Sequence, residues 1–526
     1  MLTLHPLFSA GAVLQAGKPL PVWGRAEAGS AITVSLQGES ATCVAGPDRC
    51  WRAVLPPLKV SFDETLSVTG AGEHIVTGGI AVGGVWLACG QSNMEFPMRA
   101  LKEFRRLAQT NLSAVRLYSV PRVSYPGQLE EDDFSEYRVW RACTPDQLWY
   151  YPAVPFYFAM RLFAARHVPI GIINCTVGGS TAAAWADPAL LEQTRARVWV
   201  DEYERAIEGL DLAAYTKQYK SNPMFRAKEQ DHSAFREKMW RGHSFPEGLF
   251  LRRRIRTMAA NMPMPVVGPL DYNRPGALYE NMVRSIAPFA ARGVLWYQGE
   301  ADERHPEAYA DAMDCVVDSW RRLWGDALPF LTVQIAPYAG FAPFEAKSWP
   351  LLRQEQAAFA ARKDGVFLTN AMDEGMKNDI HPKNKRPVGE RLALLARGAV
   401  YGEAILCRPP AAQGAQLAGD ALHIRLSNCE TGLWRSGRQV AAWQVFADGA
   451  PLRGFRVTLR GGGLTIRHGR LRKAHTVEVR YGWTNYCRCT LVNGAHIPIQ
   501  PFRLCLERVE SGKTQNERCQ IFGGAL

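Results

Sequence analysis

Short runs of alternating apolar and polar residues open the chain, separated by glycine, proline and aspartate. They occur at residues 12–15, 20–24, 31–38, 51–58 and 65–70. A period of two is typical of strands with one buried face. The pattern therefore predicts a small all-β domain of sandwich type over residues 1–80.

From residue 81 the pattern changes to continuous apolar runs that alternate with longer helical stretches. The apolar runs lie at 85–89, 115–120, 170–175, 293–298, 329–336 and 365–372, and the helical stretches at 156–167, 311–325 and 388–402. Strands that alternate with helices predict an α/β domain over residues 81–405, built on a doubly wound, mostly parallel sheet.

Two segments depart from that rhythm. Residues 190–276 are rich in charged and aromatic side chains without a clear buried strand, which predicts a helical insertion, and the arginines at 252–254 and 256 suit a solvated face. From about residue 406 the two-residue alternation returns. We therefore expect a second all-β domain over residues 406–526.

Composition narrows the class of protein. A chain of 526 residues with 47% hydrophobic residues can build several cores, which excludes disorder as its main state. No apolar run approaches the roughly 18 residues of a membrane span. The first residues lack the features of a signal peptide, so we expect a cytoplasmic protein. The 12 cysteines show no zinc-binding spacing, and we expect reduced thiols and no metal.

The net charge of +12 raises nucleic acid or an anionic surface as a partner. Residues 406–526 hold 17 basic and 7 acidic residues, so most of the excess lies in the predicted C-terminal β domain. The charge is therefore a poor guide to the chemistry. It fits a basic solvated face, or a surface where an acidic glycan docks.

The first candidate catalytic residue is Ser92. It lies just beyond the predicted strand 85–89, in the sequence Gly90-Gln91-Ser92-Asn93. A serine on a rigid turn at the carboxyl end of a strand exposes its Oγ as a nucleophile. The same position also suits a serine that caps the next helix.

Polar groups follow two further predicted strands. Gly178 and Gly179 let the backbone approach a ligand and present its N–H groups. Gln298 can donate its side-chain N–H to a developing negative charge. Glu300 either orients a neighbouring group or caps the next helix.

His381 lies in the loop after the last predicted strand of the sheet, two residues from Asp379. Such a histidine, opposite a strand-end serine, fits a general base with a nearby acid. We expect these loops to converge on one face of the sheet, because each follows a strand. That convergence favours acyl transfer, in which Ser92 attacks and Gln298 stabilises the oxyanion.

Four sequence blocks carry a family resemblance: GQSNM around Ser92, GGS at Gly178–Ser180, WYQGE at Trp296–Glu300 and DIHP at Asp379–Pro382. With ALYENM at 277–282 and PIQPFR at 498–503, they resemble the sialate O-acetylesterase family of SGNH hydrolases. The resemblance covers nearly the whole chain.

The resemblance implies an SGNH-hydrolase-type α/β domain that removes O-acetyl groups from carbohydrates, with O-acetylated sialic acid as the expected substrate and no cofactor. It implies Ser92 as the nucleophile and His381 as the base. The implied oxyanion hole comprises the N–H groups of Ser92 and Gly179 and the amide of Gln298. We also consider Asn93 and Glu300 as candidates for supporting roles.

The sequence leaves open which residue is the acid of the catalytic triad. Many SGNH hydrolases carry it three residues before the histidine, where this chain has Asn378. Asp379 is therefore our candidate, and Glu300, Asp373 or a backbone carbonyl are the alternatives. A Ser–His dyad without an acid retains much of the catalysis.

Other functions fit parts of the pattern. Within the class, an acetyl xylan esterase, a lipase or a thioesterase uses the same catalytic set. In a different class, a glycan- or nucleic-acid-binding protein on an inactive hydrolase scaffold is the alternative. The complete set of Ser92, Gln298 and His381 argues for an enzyme. We expect an acetylated carbohydrate as the ligand, and neither nucleic acid nor a membrane as a partner.

Overall fold

The computed structural model describes residues 1–107, 109–221, 267–341, 344–345, 348–438, 442–508 and 518–522. Residues 222–266 of the predicted insertion, with its arginines, lie outside them. The chain divides into two compact units. The first holds residues 1–296 and 315–330, and the second residues 297–314 and 331–526. The domain boundaries expected near residues 80 and 405 stay predictions.

The strands are, in chain order, β1 (Thr3–Leu4), β2 (Val13–Gln15), β3 (Leu20–Arg25), β4 (Ala31–Leu36), β5 (Glu39–Val44), β6 (Cys50–Leu55), β7 (Ser61–Gly70), β8 (Glu73–Gly90), β9 (Leu112–Ser119), β10 (Trp140–Cys143), β11 (Ile170–Thr176), β12 (Gly293–Tyr297), β13 (Phe330–Gln334), β14 (Gly340–Phe341), β15 (Phe344–Glu345), β16 (Val366–Asn370), β17 (Ala412–Ala418), β18 (Ala421–Leu426), β19 (Trp434–Arg435), β20 (Trp443–Ala447), β21 (Ala450–Pro451), β22 (Arg456–Arg460), β23 (Gly463–Arg467), β24 (Thr476–Tyr481), β25 (Leu491–Val492), β26 (Phe502–Glu507) and β27 (Arg518–Phe522).

The α-helices are α1 (Ser92–Glu95), α2 (Phe104–Leu107), α3 (Gln128–Glu131), α4 (Ala153–Arg166), α5 (Pro188–Leu191), α6 (Arg197–Ile207), α7 (Leu212–Ser221), α8 (Arg284–Ile286), α9 (Tyr309–Trp324), α10 (Trp349–Arg362) and α11 (Arg386–Leu395). Short 3₁₀ turns cover Pro6–Phe8, Met98–Ala100, Leu148–Tyr150, Ala182–Trp185, Glu300–Asp302, Pro306–Ala308 and Gly469–Lys473, and π-helical turns cover Tyr279–Val283 and Ala396–Val400.

The predicted apolar runs are confirmed as strands: 85–89 lies in β8, and 115–120, 170–175, 293–298, 329–336 and 365–372 correspond to β9, β11, β12, β13 and β16. The helical stretches correspond to α4, α9 and α11. The chain is thus a mixed α/β protein with several sheets. In the described part of the chain, no helix is long and apolar enough to cross a membrane.

Strand β8 explains why the sequence pattern changes near residue 81. Residues 73–79 alternate between exposed and half-buried, and every residue from Ile80 to Gly90 is buried. The first part pairs antiparallel with β7, and Gly84–Gly90 pairs parallel with β11. One continuous strand therefore passes from a half-exposed sheet into a sheet that is covered on both faces, as parallel sheets usually are.

In the first unit, β10, β9, β11, β8 and β12 are neighbours in that order. Strand β11 runs parallel to both of its neighbours, β8 and β9. A separate sheet of order β1–β3–β6 lies in the N-terminal segment. The carboxyl ends of β8, β9 and β11 therefore lie at one edge of the parallel sheet.

In the second unit, β13 and β16 are neighbours, and the C-terminal strands form two larger sheets. Their orders are β17–β18–β23–β22 and β21–β20–β24–β26–β27. Side chains from both sheets, including Leu422, Ile466, Val479 and Leu504, belong to one hydrophobic cluster. The alternating pattern after residue 406 is thus confirmed as strands that share a core.

Candidate active site

The first unit holds Ser92, Asn93 and Gly179. Strand β8 ends at Gly90, and Ser92 is the first residue of helix α1. The backbone N–H groups of Met94 and Glu95 donate to the Gln91 carbonyl at 2.9 and 3.1 Å, which closes the turn. Ser92 is half-buried, whereas Gln91 and Asn93 on either side are buried.

The geometry of this turn argues against the alternative that Ser92 caps the helix. Gln91 occupies the N-cap position of α1, with extended backbone angles, and Ser92 follows it inside the helix. The hydroxyl of Ser92 therefore sits on a tight strand-to-helix turn rather than at the cap. This is the placement that a nucleophilic serine needs.

The register of β8 against β11 brings the Gly179 loop next to this turn. Gly90 pairs with Thr176, and the Val177 N–H donates to the Gly90 carbonyl at 3.1 Å. Gly179 has φ +79°, a backbone conformation that favours glycine. The two loops therefore leave the same sheet edge from adjacent strands.

Asn273 fixes the Gly179 loop with both ends of its side-chain amide. Its Oδ1 accepts from the Thr181 N–H at 2.8 Å, and its Nδ2 donates to the Gly179 carbonyl at 3.1 Å. The carboxylate of Asp271 accepts from the Asn273 N–H at 2.7 Å. Burial raises the pKa of Asp271 to about 6. This clamp was not predicted from the sequence.

Ser180, in the same loop, has a structural role. It is buried, its Oγ donates to the Val177 carbonyl at 2.8 Å, and it accepts from Trp185 Nε1 at 2.9 Å. The third strand end also contributes: Arg122, just beyond β9, pairs with the buried Glu95 of helix α1 at 3.1 Å. The turn at Ser92 is thus braced by the segments that follow β9 and β11.

The second unit holds Gln298, Glu300, Asp379 and His381. Gln298 is fully buried, and its side-chain Nε2 donates to the Asp302 carboxylate. Its backbone carbonyl accepts from the Tyr309 hydroxyl at 3.2 Å and from Gln356 Nε2 at 3.0 Å. The amide has two N–H groups, and Asp302 accepts one of them. Gln298 is therefore held at both its backbone and its side chain.

His381 and Asp379 lie together in one loop. Asp379 Oδ1 accepts from the His381 backbone N–H at 2.9 Å and lies 3.9 Å from His381 Nδ1. Asp379 Oδ2 lies 3.0 Å from the Lys383 ammonium. Burial alone raises the pKa of Asp379, but Lys383, His381 and the backbone N–H together hold it below its ordinary value. The carboxylate is therefore ionised beside the imidazole.

A second lysine of this loop, Lys385, is buried and lies 5.9 Å from the centroid of the Tyr297 ring. Burial and the neighbouring Lys383 lower the pKa of Lys385 to about 7. Three acidic groups act in the opposite direction, namely Glu300, Asp379 and Glu374. Glu300 thus belongs to a cluster of opposite charges in this unit.

Asp373, another candidate for the acid, is engaged elsewhere. Its two oxygens accept from Arg391 at 2.8 and 2.6 Å in a bidentate pair. Arg391 also donates to the carbonyls of Asn370 and His496 at 3.1 and 3.0 Å. Asp373 therefore anchors the start of this loop rather than the imidazole.

The residues that sequence reasoning missed are supporting ones: Asn273, Asp302, Lys383 and Lys385. Asp302 lies four residues after Gln298, and Lys383 lies four residues after Asp379. Side chains at this spacing can contact each other on one turn, so the sequence spacing could have identified both residues. Asn273 lies 94 positions from Gly179, and no local pattern connects the two.

Comparison with known proteins assigns the chain to a class. A family model described as carbohydrate esterase, sialic acid-specific acetylesterase, matches residues 268–396. The crystal structure of a carbohydrate acetylesterase from Xanthomonas citri superposes with a TM-score of 0.73 and 28% identity, over 96% of this chain and 99% of that one. The chain is a carboxylic ester hydrolase, and it is similar to carbohydrate esterases.

Within that class, its curated relatives are sialate O-acetylesterases. The enzyme of Rattus norvegicus is 26% identical over 420 residues, which is 73% of this chain and 70% of the relative. The enzyme of Homo sapiens is 23% identical over 424 residues, 73% of this chain and 68% of the relative. The family resemblance of the four sequence blocks is therefore confirmed.

Proposed function

We propose that the chain hydrolyses O-acetyl esters of carbohydrates, with O-acetylated sialic acid as the first substrate to test. The sialate O-acetylesterases among its relatives and the Xanthomonas citri carbohydrate acetylesterase support this substrate class. We also propose that the α/β part has the SGNH-hydrolase arrangement, flanked by N- and C-terminal all-β domains. The four sequence blocks support that assignment.

In the proposed mechanism, Ser92 Oγ attacks the acetyl carbonyl carbon while His381 takes the hydroxyl proton. The sugar hydroxyl leaves with that proton, and an acetyl-enzyme forms on Ser92. Water then attacks the acetyl group, His381 again accepts a proton, and acetate leaves as Ser92 Oγ regains one. The atoms and protons balance over the two steps.

The negative charge on the acetyl oxygen needs donors that are already oriented. We assign this role to the N–H groups of Ser92 and Gly179 and to the side-chain amide of Gln298. The Asn273 clamp and the Asp302 carboxylate support this role, because each holds one of these groups in a fixed direction. Fixed donors do not reorganise during the reaction, which lowers its barrier.

The single observation that carries the proposal is the register of β8 against β11. Gly90 pairs with Thr176, so the serine turn and the glycine loop leave adjacent parallel strands at one edge. Ligands of open α/β sheets bind outside the carboxyl ends of strands. A nucleophile beside a glycine loop at that edge is the arrangement that acyl transfer uses.

Acetate release tests the proposal. The wild-type chain, Ser92→Ala and Ser113→Ala are incubated with O-acetylated sialic acid, acetylated xylan oligosaccharides and p-nitrophenyl acetate. Ser113 is exposed on β9 and serves as the matched control. We expect Ser92→Ala to lose activity by about 10⁴-fold or more, and Ser113→Ala to keep it. If Ser92→Ala releases acetate as fast as the wild-type chain, the proposed mechanism is wrong. If acetate is released from the xylan oligosaccharides and not from O-acetylated sialic acid, the proposed substrate is wrong.

A further inference from the structure

A cavity lies in the N-terminal part of the first unit, on the sheet of order β1–β3–β6. Its volume is about 580 Å³, enough for a sugar ring. Its lining includes His5, Trp23, Arg25, Asp48, Trp51 and Arg52. None of these residues has a part in the proposed hydrolysis, so the cavity needs its own explanation.

The aromatic part of the lining is Trp23. Its ring is half-buried and is held edge-on by Phe8, with centroids 4.9 Å apart, and by the tilted His5 ring at 5.1 Å. An indole that is held in this way offers a rigid apolar surface. The C–H face of a pyranose ring is a flat apolar surface of matching size.

Trp51 lies next to this surface but on the other face of the sheet, because it alternates with Arg52 along β6. It is 2% exposed, and its Nε1 has no acceptor among the described residues. The neighbouring strand leaves room for the ring at Gly24, where a Cβ would lie 2.8 Å from Trp51 Cζ2. Its ring therefore packs against β3 from the face opposite to Trp23.

The charged part of the lining is Arg25 and Arg52, both exposed. Trp23 and Arg52 are register partners on β3 and β6, and Arg25 lies two residues beyond Trp23, so the three share one face. Hydrogen bonds from Cys50, and to a smaller extent the charge of Arg25, lower the pKa of the Asp48 carboxyl group. Arg25 donates to the Asp48 backbone carbonyl at 3.3 Å.

The remaining titratable groups of the lining leave this positive charge in place. The Asp48 carboxylate accepts from the Cys50 N–H at 3.0 Å. Burial, and next the charge of Arg138, lower the pKa of His5 to about 4, so its imidazole is neutral at pH 7. Two guanidinium groups therefore outweigh one carboxylate on this face.

We propose that this cavity is a binding site for a sugar that carries a carboxylate, separate from the site of ester hydrolysis. The Trp23 indole lies against the pyranose ring, and Arg52 and Arg25 bind the carboxylate. Guanidinium groups match the planar geometry of a carboxylate and bind it through charge-assisted hydrogen bonds.

Glucuronate and glucose form a matched pair of probes, because they differ in one carboxylate. Saturation-transfer NMR titrations are run with the full chain, with Arg52→Gln and with Arg106→Gln. Arg106 is exposed in helix α2, outside the cavity, and is the control. Hydrolysis of p-nitrophenyl acetate, followed in parallel, reports that each variant is folded, and the binding result does not depend on the proposed mechanism.

We expect glucuronate to bind the wild-type chain at least about tenfold more tightly than glucose, and Arg52→Gln to lose that difference. Arg106→Gln keeps it. Equal binding of the two sugars, or an Arg52→Gln variant that binds glucuronate like wild type, overturns the proposal. So does acetate or inorganic phosphate that displaces glucuronate at equal concentration, since the cavity is then a simple anion site.

Discussion

The carboxylate of Asp379 lies near three groups, which belong to His381 and Lys383, at different distances. It accepts from the His381 backbone N–H at 2.9 Å and lies 3.0 Å from the Lys383 ammonium. The His381 imidazole nitrogen lies farther away, at 3.9 Å, which is longer than a hydrogen bond. Asp379 thus acts on the imidazole through its charge and through the shape of the loop. Long contacts of this kind between catalytic groups often shorten to hydrogen bonds when substrate binds.

Replacing Asp379 with asparagine removes the charge and keeps an acceptor for the backbone N–H. We expect Asp379→Asn to lower kcat for p-nitrophenyl acetate by about 10- to 100-fold with little change in KM, because the imidazolium loses its counter-charge. Steady-state kinetics measures both constants. Asp373→Asn is the control: its carboxylate is bound by Arg391, so we expect a lower Tm and a smaller effect on kcat. A larger loss of kcat in Asp373→Asn contradicts this assignment.

At the scale of single residues, the sequence identified the candidate groups but not the residues that hold them. Ser92 and His381 follow predicted strands and could be found from position alone. Lys385 could not, because a lysine in a polar loop is ordinarily exposed. Two groups that act on it, the Tyr297 ring and the Glu300 carboxylate, are more than 80 positions away in the chain.

At the scale of elements, strand β8 contains both the alternating and the continuously apolar part of the sequence pattern. The change from alternating to continuous burial at Ile80 was readable from the sequence, because a strand covered on both faces has no polar face. That β8 continues without a break from Glu73 to Gly90 was not readable. Continuity depends on pairing with β7 and β11, which are not local in sequence.

The loop after β11 depends on Asn273, which leads to a second prediction. Asn273→Ala removes the acceptor for the Thr181 N–H and the donor to the Gly179 carbonyl. We expect kcat to fall by about tenfold and KM to change little, because the proposed role of the Gly179 N–H is to bind the oxyanion of the transition state. Steady-state kinetics with p-nitrophenyl acetate as substrate measures kcat and KM separately.

Asn111→Ala, at an exposed position before β9, is the control and keeps wild-type constants. An Asn273→Ala variant with unchanged kcat contradicts the assignment of Gly179 to the oxyanion hole. A loss that appears in KM alone points to substrate binding instead.

Asp271, in the same clamp, makes stability depend on pH. Burial raises its pKa from 3.8 to about 6, so the folded chain binds the proton more tightly than the unfolded chain. The stability from the bound proton is present below the unfolded pKa and is lost as the pH rises through 6. The loss amounts to about 3 kcal/mol in the free energy of unfolding.

Asp271→Asn keeps the acceptor for the Asn273 N–H and has no proton to lose. We therefore expect the Tm of the wild-type chain to fall relative to the variant as the pH rises from about 4 to about 7. Calorimetry across this range measures the difference. Parallel Tm curves for the two proteins contradict the raised pKa.

At the scale of the whole molecule, the four predicted blocks are divided between the two units. Ser92 and Gly179 lie in the first, and Gln298 and His381 in the second. The pairing of β8 with β11 supports convergence of the first two, and the convergence of all four stays a prediction. The alternation of strands and helices sufficed for the mixed α/β class, because it depends on burial periods that are local in sequence.

The central claim is that Ser92 carries the acetyl group during turnover, and peptide mass spectrometry of protein quenched with acid during hydrolysis of p-nitrophenyl acetate tests it most directly. We predict one acetyl group on the peptide that contains Ser92, and no acetylated peptide in Ser92→Ala. An acetyl group on a different side chain, in a protein whose Ser92→Ala variant still hydrolyses the ester, would contradict the account.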